Sequence, residues 1–320
     1  QTSTGYSESA GHKIIGYGLA TSSTARGCVP ISAQSIVTTT NAGKGYYENR
    51  CMVVFSDSTP TVESEADFVS FGTGTDVGKF TINWVVNPGV ASAIIIHYTY
   101  IGGSDILNAV VKTLTGPTAT GNQAFTGIGF QGDLLQILSS NQTATGTSTG
   151  ASFNLGAATS STARWTWATA GNDGTSTAPN VELFGSNTKC LVTMKHGSSG
   201  TDLATDNIAD FVSWGSDGFT LNYTKVTTGS VKFLALVLKG TFLKKVGVFR
   251  TPAYYQNPGA SQIEGGHLAV TTDFRPSGVL LSTNSLWLAN QPDTDNVEDF
   301  AINLGSASST AQGIADLDWE

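Results

Sequence analysis

Hydrophobic and polar residues alternate with a period of two over many short stretches of this chain. In Phe219-Thr-Leu-Asn-Tyr-Thr224, the residues Phe219, Leu221 and Tyr223 point one way and Thr220, Asn222 and Thr224 the other. Phe80-Thr-Ile-Asn-Trp84 repeats the pattern. This is the signature of a strand with one buried face. The runs at 93–96, 134–138 and 233–238 are apolar on both faces and predict central strands. Turn signals separate them at Asn87-Pro-Gly89, Asn172-Asp-Gly174, Ser216-Asp-Gly218 and Asn257-Pro-Gly259. No stretch longer than about two turns holds a helical period. The predicted class is all-β, in tandem β-sandwich or jelly-roll-like units. Phe211, Val212, Trp214, Phe219, Leu221 and Tyr223 should line or edge one core.

Segments of the chain recur in order. Ala20-Thr-Ser-Ser-Thr-Ala-Arg26 returns as Ala158-Thr-Ser-Ser-Thr-Ala-Arg164, and Arg50-Cys51-Met-Val as Lys189-Cys190-Leu-Val. Ala66-Asp-Phe-Val-Ser-Phe-Gly72 returns as Ala209-Asp-Phe-Val-Ser-Trp-Gly215. A third copy begins. Phe274-Arg-Pro-Ser-Gly-Val-Leu-Leu answers Phe130-Gln-Gly-Asp-Leu-Leu, and Asn303-Leu-Gly305 answers Asn154-Leu-Gly156. The chain is thus expected to hold the back part of one unit (1–105), one complete unit (106–241) and the front part of a third (242–320). A half unit cannot bury its own apolar face. Two readings follow: an excerpt of a longer array, or front parts that complete the back parts of neighbouring copies. Gln1 in place of Met is consistent with processing or excision.

Composition narrows the function. Charged residues are 12% and glycines number 37 of 320 residues, so the surface is largely Ser, Thr, Asn and Gln, poor material for surface helices. Hydrophobic residues at 39% argue against disorder. The net charge of −8 argues against nucleic acid as a partner. No apolar run is long enough for a membrane helix, so membrane insertion is not expected. Three cysteines (Cys28, Cys51, Cys190) make no even disulfide framework. Cys51 and Cys190 read as buried small hydrophobes within strands, and a Cys28–Cys51 bridge stays open.

Catalytic motifs are missing from the sequence: it has no Gly-x-Ser-x-Gly elbow, no phosphate loop and no Cys-x-x-Cys pair. His12, His97, His196 and His267 stand alone, and His97 reads as a packed strand residue. Asp67 and Asp210 are repeat-equivalent and read as structural hydrogen-bonders, because Glu65 beside the first becomes Ile208 beside the second. The expectation is a non-enzyme with no cofactor and no metal. Candidate contact residues are few. Tyr46, Tyr47, Tyr254 and Tyr255 lie near Gly, Asn and Pro, where aromatics stack on sugars or anchor interfaces; packing is the alternative. Asp293 and Asp295 open the densest acidic run, a solvated loop or a weak calcium-type site. Asn141 and Asn222 fit the glycosylation sequon.

The succession Phe125-Thr-Gly-Ile-Gly-Phe-Gln131, Ala158-Thr-Ser-Ser-Thr-Ala-Arg164, Ala209-Asp-Phe-Val-Ser-Trp-Gly215, Asp217-Gly-Phe-Thr-Leu-Asn222 and Phe233-Leu-Ala-Leu-Val-Leu-Lys-Gly240 resembles a repeated domain of bacteriophage and prophage structural proteins. Gly132 stands where that family has proline, and Pro276 restores it in the third unit. The resemblance implies tandem β-domains in a tail fibre, tail tip or capsid surface, hence a virion location. Its implied partners are other virion proteins and copies of the chain itself as a homo-oligomer, with a host surface glycan as the alternative ligand. It supplies no catalytic residues.

Overall fold

The computed structural model describes residues 12–34, 41–55, 60–87, 96–171, 181–195, 204–241, 244–247, 278–284, 300–308 and 312–319. The strands of the first third are β1 (His12–Ala20), β2 (Arg26–Gln34), β3 (Asn41–Tyr46), β4 (Met52–Phe55), β5 (Val62–Phe71) and β6 (Phe80–Val86). The middle holds β7 (Ile106–Thr115), β8 (Gly121–Phe125), β9 (Leu134–Gln142), β10 (Gly146–Thr149), β11 (Ala151–Ala158) and β12 (Arg164–Gly171). It continues with β13 (Val181–Ser186), β14 (Leu191–Lys195), β15 (Ala204–Gly215), β16 (Gly218–Val226) and β17 (Lys232–Gly240). Last come β18 (Gly278–Asn284), β19 (Phe300–Ser308) and β20 (Gln312–Trp319). Among the described residues the one helical element is a short 3-10 turn at Gly74–Asp76. The fold is all-β.

These strands form five antiparallel sheets. Sheet A is β1-β2-β3-β10, sheet B is β4-β5-β6, sheet C is β13-β12-β11-β9-β17-β7, sheet D is β14-β15-β16-β8 and sheet E is β18-β19-β20. Sheet C is apolar on both faces because both are covered. Leu135 and Ile137 of β9, with Phe233, Ala235 and Val237 of β17, pack on Phe211, Phe219 and Leu221 of sheet D. The alternate residues Leu138 and Leu234 join Ile15, Val29 and Ile31 of sheet A on the opposite side. Sheet A in turn buries Cys28 against Val53 and Phe55 of sheet B. The layer order is therefore B, A, C, D. The doubly apolar runs at 134–138 and 233–238 are central strands, as their pattern predicts.

Local register recurs with the sequence. Gly16 faces Pro30 in the β1–β2 ladder and Asn154 faces Ala168 at the corresponding place in β11–β12. The tight turns closing these hairpins share a bond: the Ala25 amide donates to Ser22 Oγ and the Ala163 amide to Ser160 Oγ, both at 3.0 Å. Two bulges interrupt β5–β6, at Glu65/Ala66 and Phe68/Ser70, and two interrupt β15–β16, at Ile208/Ala209 and Phe211/Ser213. Bulges are specified features rather than noise, so their recurrence at matching residues marks one local solution used twice. The second bulge also corrects one expectation: Val212 sits in it and is 37% exposed, while Phe211, Phe219, Leu221 and Tyr223 are buried.

Two other expectations are corrected. His97 is exposed and lies in residues 96–100, which form no strand, so it is not a packed strand residue; residues 91–95 lie outside the described ones. Cys51 and Cys190 sit one residue before β4 and β14 rather than within them, where their amides donate to Ala66 O at 3.0 Å and Ala209 O at 3.1 Å. All three thiols are free. Burial raises each thiol, Cys51 to about 11, so none is an activated nucleophile.

Candidate interaction surface

The sheets that share a local plan differ in what covers them. In sheet D, β8 pairs with the outer edge of β16, setting Phe125 opposite Phe219 with ring centroids 5.4 Å apart. Phe125 also meets Phe233 edge-on at 5.2 Å, and Phe219 is 2% exposed. In sheet B the corresponding strand β6 carries the same kind of residues, but no described strand pairs with its outer edge. Phe80, at the position of Phe219, is 38% exposed and Phe71, at the position of Trp214, is 39% exposed. Tyr98 meets Phe80 and Tyr100 meets Phe71 edge-on, at 5.3 and 5.5 Å between ring centroids, yet the two tyrosines stay 69% and 55% exposed. Val85, Val86, Ile96 and Ile101 continue the patch. Among the described residues this is the largest gathering of exposed aromatic rings in contact with one another.

The turns above these sheets differ as well. Asp217 accepts hydrogen bonds from the Gly127 amide at 3.0 Å and the Gly129 amide at 2.5 Å, which hold its carboxyl below the usual range. Gly127 and Gly129 have φ of 78° and 91°, a conformation that favours glycine. Beside this clamp, a Cβ on Gly132 would lie 2.5 Å from the Trp214 ring, so glycine there makes room for the indole. Gly132→Ala should therefore cost about 1–3 kcal/mol. Trp214→Phe should recover part of it in a double-mutant cycle of denaturant unfolding; additive costs would refute the coupling.

Asp67 and Asp210 are partners of arginines. Arg164 contacts Asp210 through Nε and, at 2.9 Å, through Nη2. Arg26 Nε lies 3.3 Å from Asp67, and Arg50 bridges Glu65 at 2.7 Å and Asp67 at 3.5 Å. The hydrogen bond to Glu65 raises the Arg50 guanidinium further. Both arginine side chains following the Ser/Thr turn also donate to a backbone carbonyl, Asn49 O at 3.1 Å and Thr188 O at 3.0 Å. The pairs thus pin a hairpin of one sheet to the next layer.

A buried amine sits where sheet A meets the middle of the chain. Lys44 is 3% exposed, donates to Asn141 O at 3.4 Å and is pushed down to about 8 by burial, against an attraction to Asp206. Asp206 is itself buried and accepts from Asn141 Nδ2 at 2.9 Å. A lysine with a folded pKa below its unfolded one is destabilising while charged, and the penalty lifts as pH rises through the folded value. Relative to Lys44→Met, the native chain should therefore gain stability between pH 8 and 9, approaching about 1.4 kcal/mol per pH unit. Above about pH 9 the raised thiols act oppositely, because the unfolded chain releases their protons first. Parallel slopes for the two proteins in denaturant titrations would refute this.

The residues singled out from sequence fare unevenly. Tyr46 and Tyr47 are core residues, not ligand-facing loop aromatics. Tyr46 is 0% exposed at the end of β3 and donates its hydroxyl to Phe233 O at 3.2 Å, and Tyr47 packs with Cys28 and Phe55. The Gly, Lys and Asn around them belong to a strand paired on both sides, by β2 and β10, which explains the burial. Tyr254, Tyr255, Asp293 and Asp295 lie outside the described residues. The apron of Phe71, Phe80, Tyr98 and Tyr100 was missed. Its signal was present: it is the sequence of a core face in a unit whose front part does not precede it among the described residues. Among those residues no cluster of His, Cys, Asp and Glu is arranged to hold a metal. No helix there is long and apolar enough to cross a membrane. No protein-family model, no curated protein and no solved structure matches the chain.

Proposed function

We propose that the chain is a non-enzymatic structural protein of a bacteriophage virion, forming or decorating a tail appendage or the capsid surface through repeated β-units. The observation that carries this reading is the recurrence of one hairpin, one ladder register and one pair of bulges in sheets that stack layer on layer. Such construction extends a surface by nearest-neighbour contacts and needs no cofactor. The acidic, weakly charged composition suits a particle exterior better than a nucleic-acid interior. The residue runs of a repeated phage domain, named above, supply the virion context. The partners are copies of the chain and other virion proteins, and the location is the particle surface. The glycan reading loses Tyr46 and Tyr47, which are buried. The test is cryo-electron microscopy of the native material containing this chain. Density for it on a capsid lattice or along a tail appendage supports the proposal, and a free soluble protein without any particle overturns it.

A further inference from the structure

We infer that Lys44 and Asn141 join their side chains in an isopeptide bond, with Asp206 carrying the protons and ammonia leaving. Three sheets bring these residues together: Lys44 comes from β3 of sheet A, Asn141 from β9 of sheet C and Asp206 from β15 of sheet D. Lys44 and Asp206 are both buried. Lys44 Nζ lies 3.4 Å from Asn141 O, and Asn141 Nδ2 donates to Asp206 Oδ2 at 2.9 Å. The amine therefore adjoins the residue whose carboxamide adjoins the carboxyl. None of the three falls in the recurring runs, so the group belongs to this crossing of sheets and not to the repeated plan.

The backbone is bent to form the group. Ser139, Ser140 and Asn141 stand against Phe233 alone, between the pairs Leu138–Leu234 and Gln142–Lys232, and Asn141 has a φ of 54°. A bulge of this kind re-aims a side chain, and a left-handed residue other than glycine persists only where its surroundings hold it. Here the Asn141 amide donates to Ser139 Oγ at 3.2 Å, and Gln142 Nε2 donates to Lys44 O at 3.1 Å, fixing β9 against β3 at the next residue. Hydrogen bonding is left incomplete. Among the described residues Asn141 Oδ1 and Asp206 Oδ1 are buried without a partner. Such atoms are nearly always paired, and leaving them bare costs stability. A reactive role accounts for both.

Burial favours the neutral amine, whose lone pair is the nucleophile, and lowers Lys44 to about 8. Asp206 takes one Nζ proton, and the lone pair attacks Asn141 Cγ. The Nζ–Cγ bond forms, and the Cγ–Nδ2 bond breaks as Asp206 hands its proton to Nδ2. Of the three Nζ protons one remains on the new amide. The other two leave with the Asn141 side-chain nitrogen and its own pair, as ammonium. Asp206 ends in the state in which it began, and neither an oxidant nor a cofactor enters. Holding the reactants in place out of water replaces the encounter that makes such a reaction slow in solution. The product ties sheet A to sheet C across 97 positions of the chain.

Peptide mapping by mass spectrometry tests this on the full-length chain, freshly purified and after prolonged incubation at mildly alkaline pH. A branched tryptic species is expected, joining residues 27–50, uncleaved at Lys44, to residues 113–164, one ammonia lighter than the two peptides together. Whole-chain mass does not suffice, because cyclisation of Gln1 also releases ammonia. Lys44→Met and Asp206→Asn should lose the branched species entirely, with circular dichroism showing whether each stays folded. The map of the native chain decides the bond whatever the stability of the variants. Cleavage at Lys44 and two separate peptides at every time would overturn the inference. An undiminished branched species in Asp206→Asn would overturn the role given to Asp206. The pH slope expected of Lys44 belongs to the free amine, so it is read on freshly folded chain in which trypsin still cuts at Lys44. None of these outcomes depends on whether particles carry the chain.

Discussion

Phe219→Ala should cost about 3–5 kcal/mol, and Phe80→Ala about 1 kcal/mol, although the two residues occupy matching places in matching strands. Phe219 is 2% exposed between Phe125 and the Trp214 edge, with ring centroids 5.4 and 6.1 Å away. Truncation there leaves a void that sheets C and D cannot readily close, because β8 is held in its ladder with β16 and β17 in its ladder with β9. Phe80 has one ring partner, Tyr98, and water on the other side, so its truncation removes little buried area. The measurement is denaturant unfolding of each variant in dilute solution, with amide exchange followed separately in β6 and β16, since a layered chain need not unfold in one step. A Phe219 cost below about 1 kcal/mol would mean that β16 faces the other way. Equal, large costs in dilute solution would mean that Phe80 is as enclosed as Phe219.

This contrast also shows what the sequence could and could not reveal. Period-two alternation marks which side of a strand is apolar, and it reads the same at Phe219 and Phe80. Whether that side is covered depends on strands far away in the chain: β8 and β9 for one, none of the described strands for the other. Strand pairing, turns and the two doubly apolar strands were therefore legible, since each rests on local chemistry. The layer order B, A, C, D was not. Nor was the exchange in which β10 adds to sheet A, setting Gly146 opposite Tyr46 across the expected boundary at 105–106. That pairing places Tyr46 and Lys44 inside, whereas the Gly, Lys and Asn nearby suggest a loop. The apolar run at 93–96 predicts a strand, and of it Ile96 alone lies among the described residues, exposed and in no strand. In sheet C the matching run, β17, is held between β9 and β7. The first third of the chain has no described strands in those roles.

Gly156→Ala and Gly18→Ala should each destabilise by about 3 kcal/mol or more, beyond the usual cost of added volume, because the obstacle is backbone. A Cβ on Gly156 would lie 2.0 Å from Cys190 O, and one on Gly18 would lie 1.7 Å from Cys51 O. Neither glycine has a positive φ, so the requirement is space and not backbone conformation. The reason lies in how the layers meet. β11 crosses β14, and β1 crosses β4, so closely that main chain touches main chain, well inside the roughly 10 Å usual between stacked sheets. At each crossing the cysteine is itself fixed, its amide bonded to Ala209 O or Ala66 O. An added methyl must push the sheets apart along the whole crossing, opening the clusters around Leu191 and Val53. The two sites also separate the layers experimentally. Gly156→Ala should lower protection in β14 and β15 and leave β4 and β5 unchanged, and Gly18→Ala should do the reverse. Amide exchange read strand by strand checks this. Loss of protection in both sheets from either variant would mean that layers A–B and C–D unfold as one cooperative body, and a cost under about 1 kcal/mol would mean that the sheets lie farther apart than described.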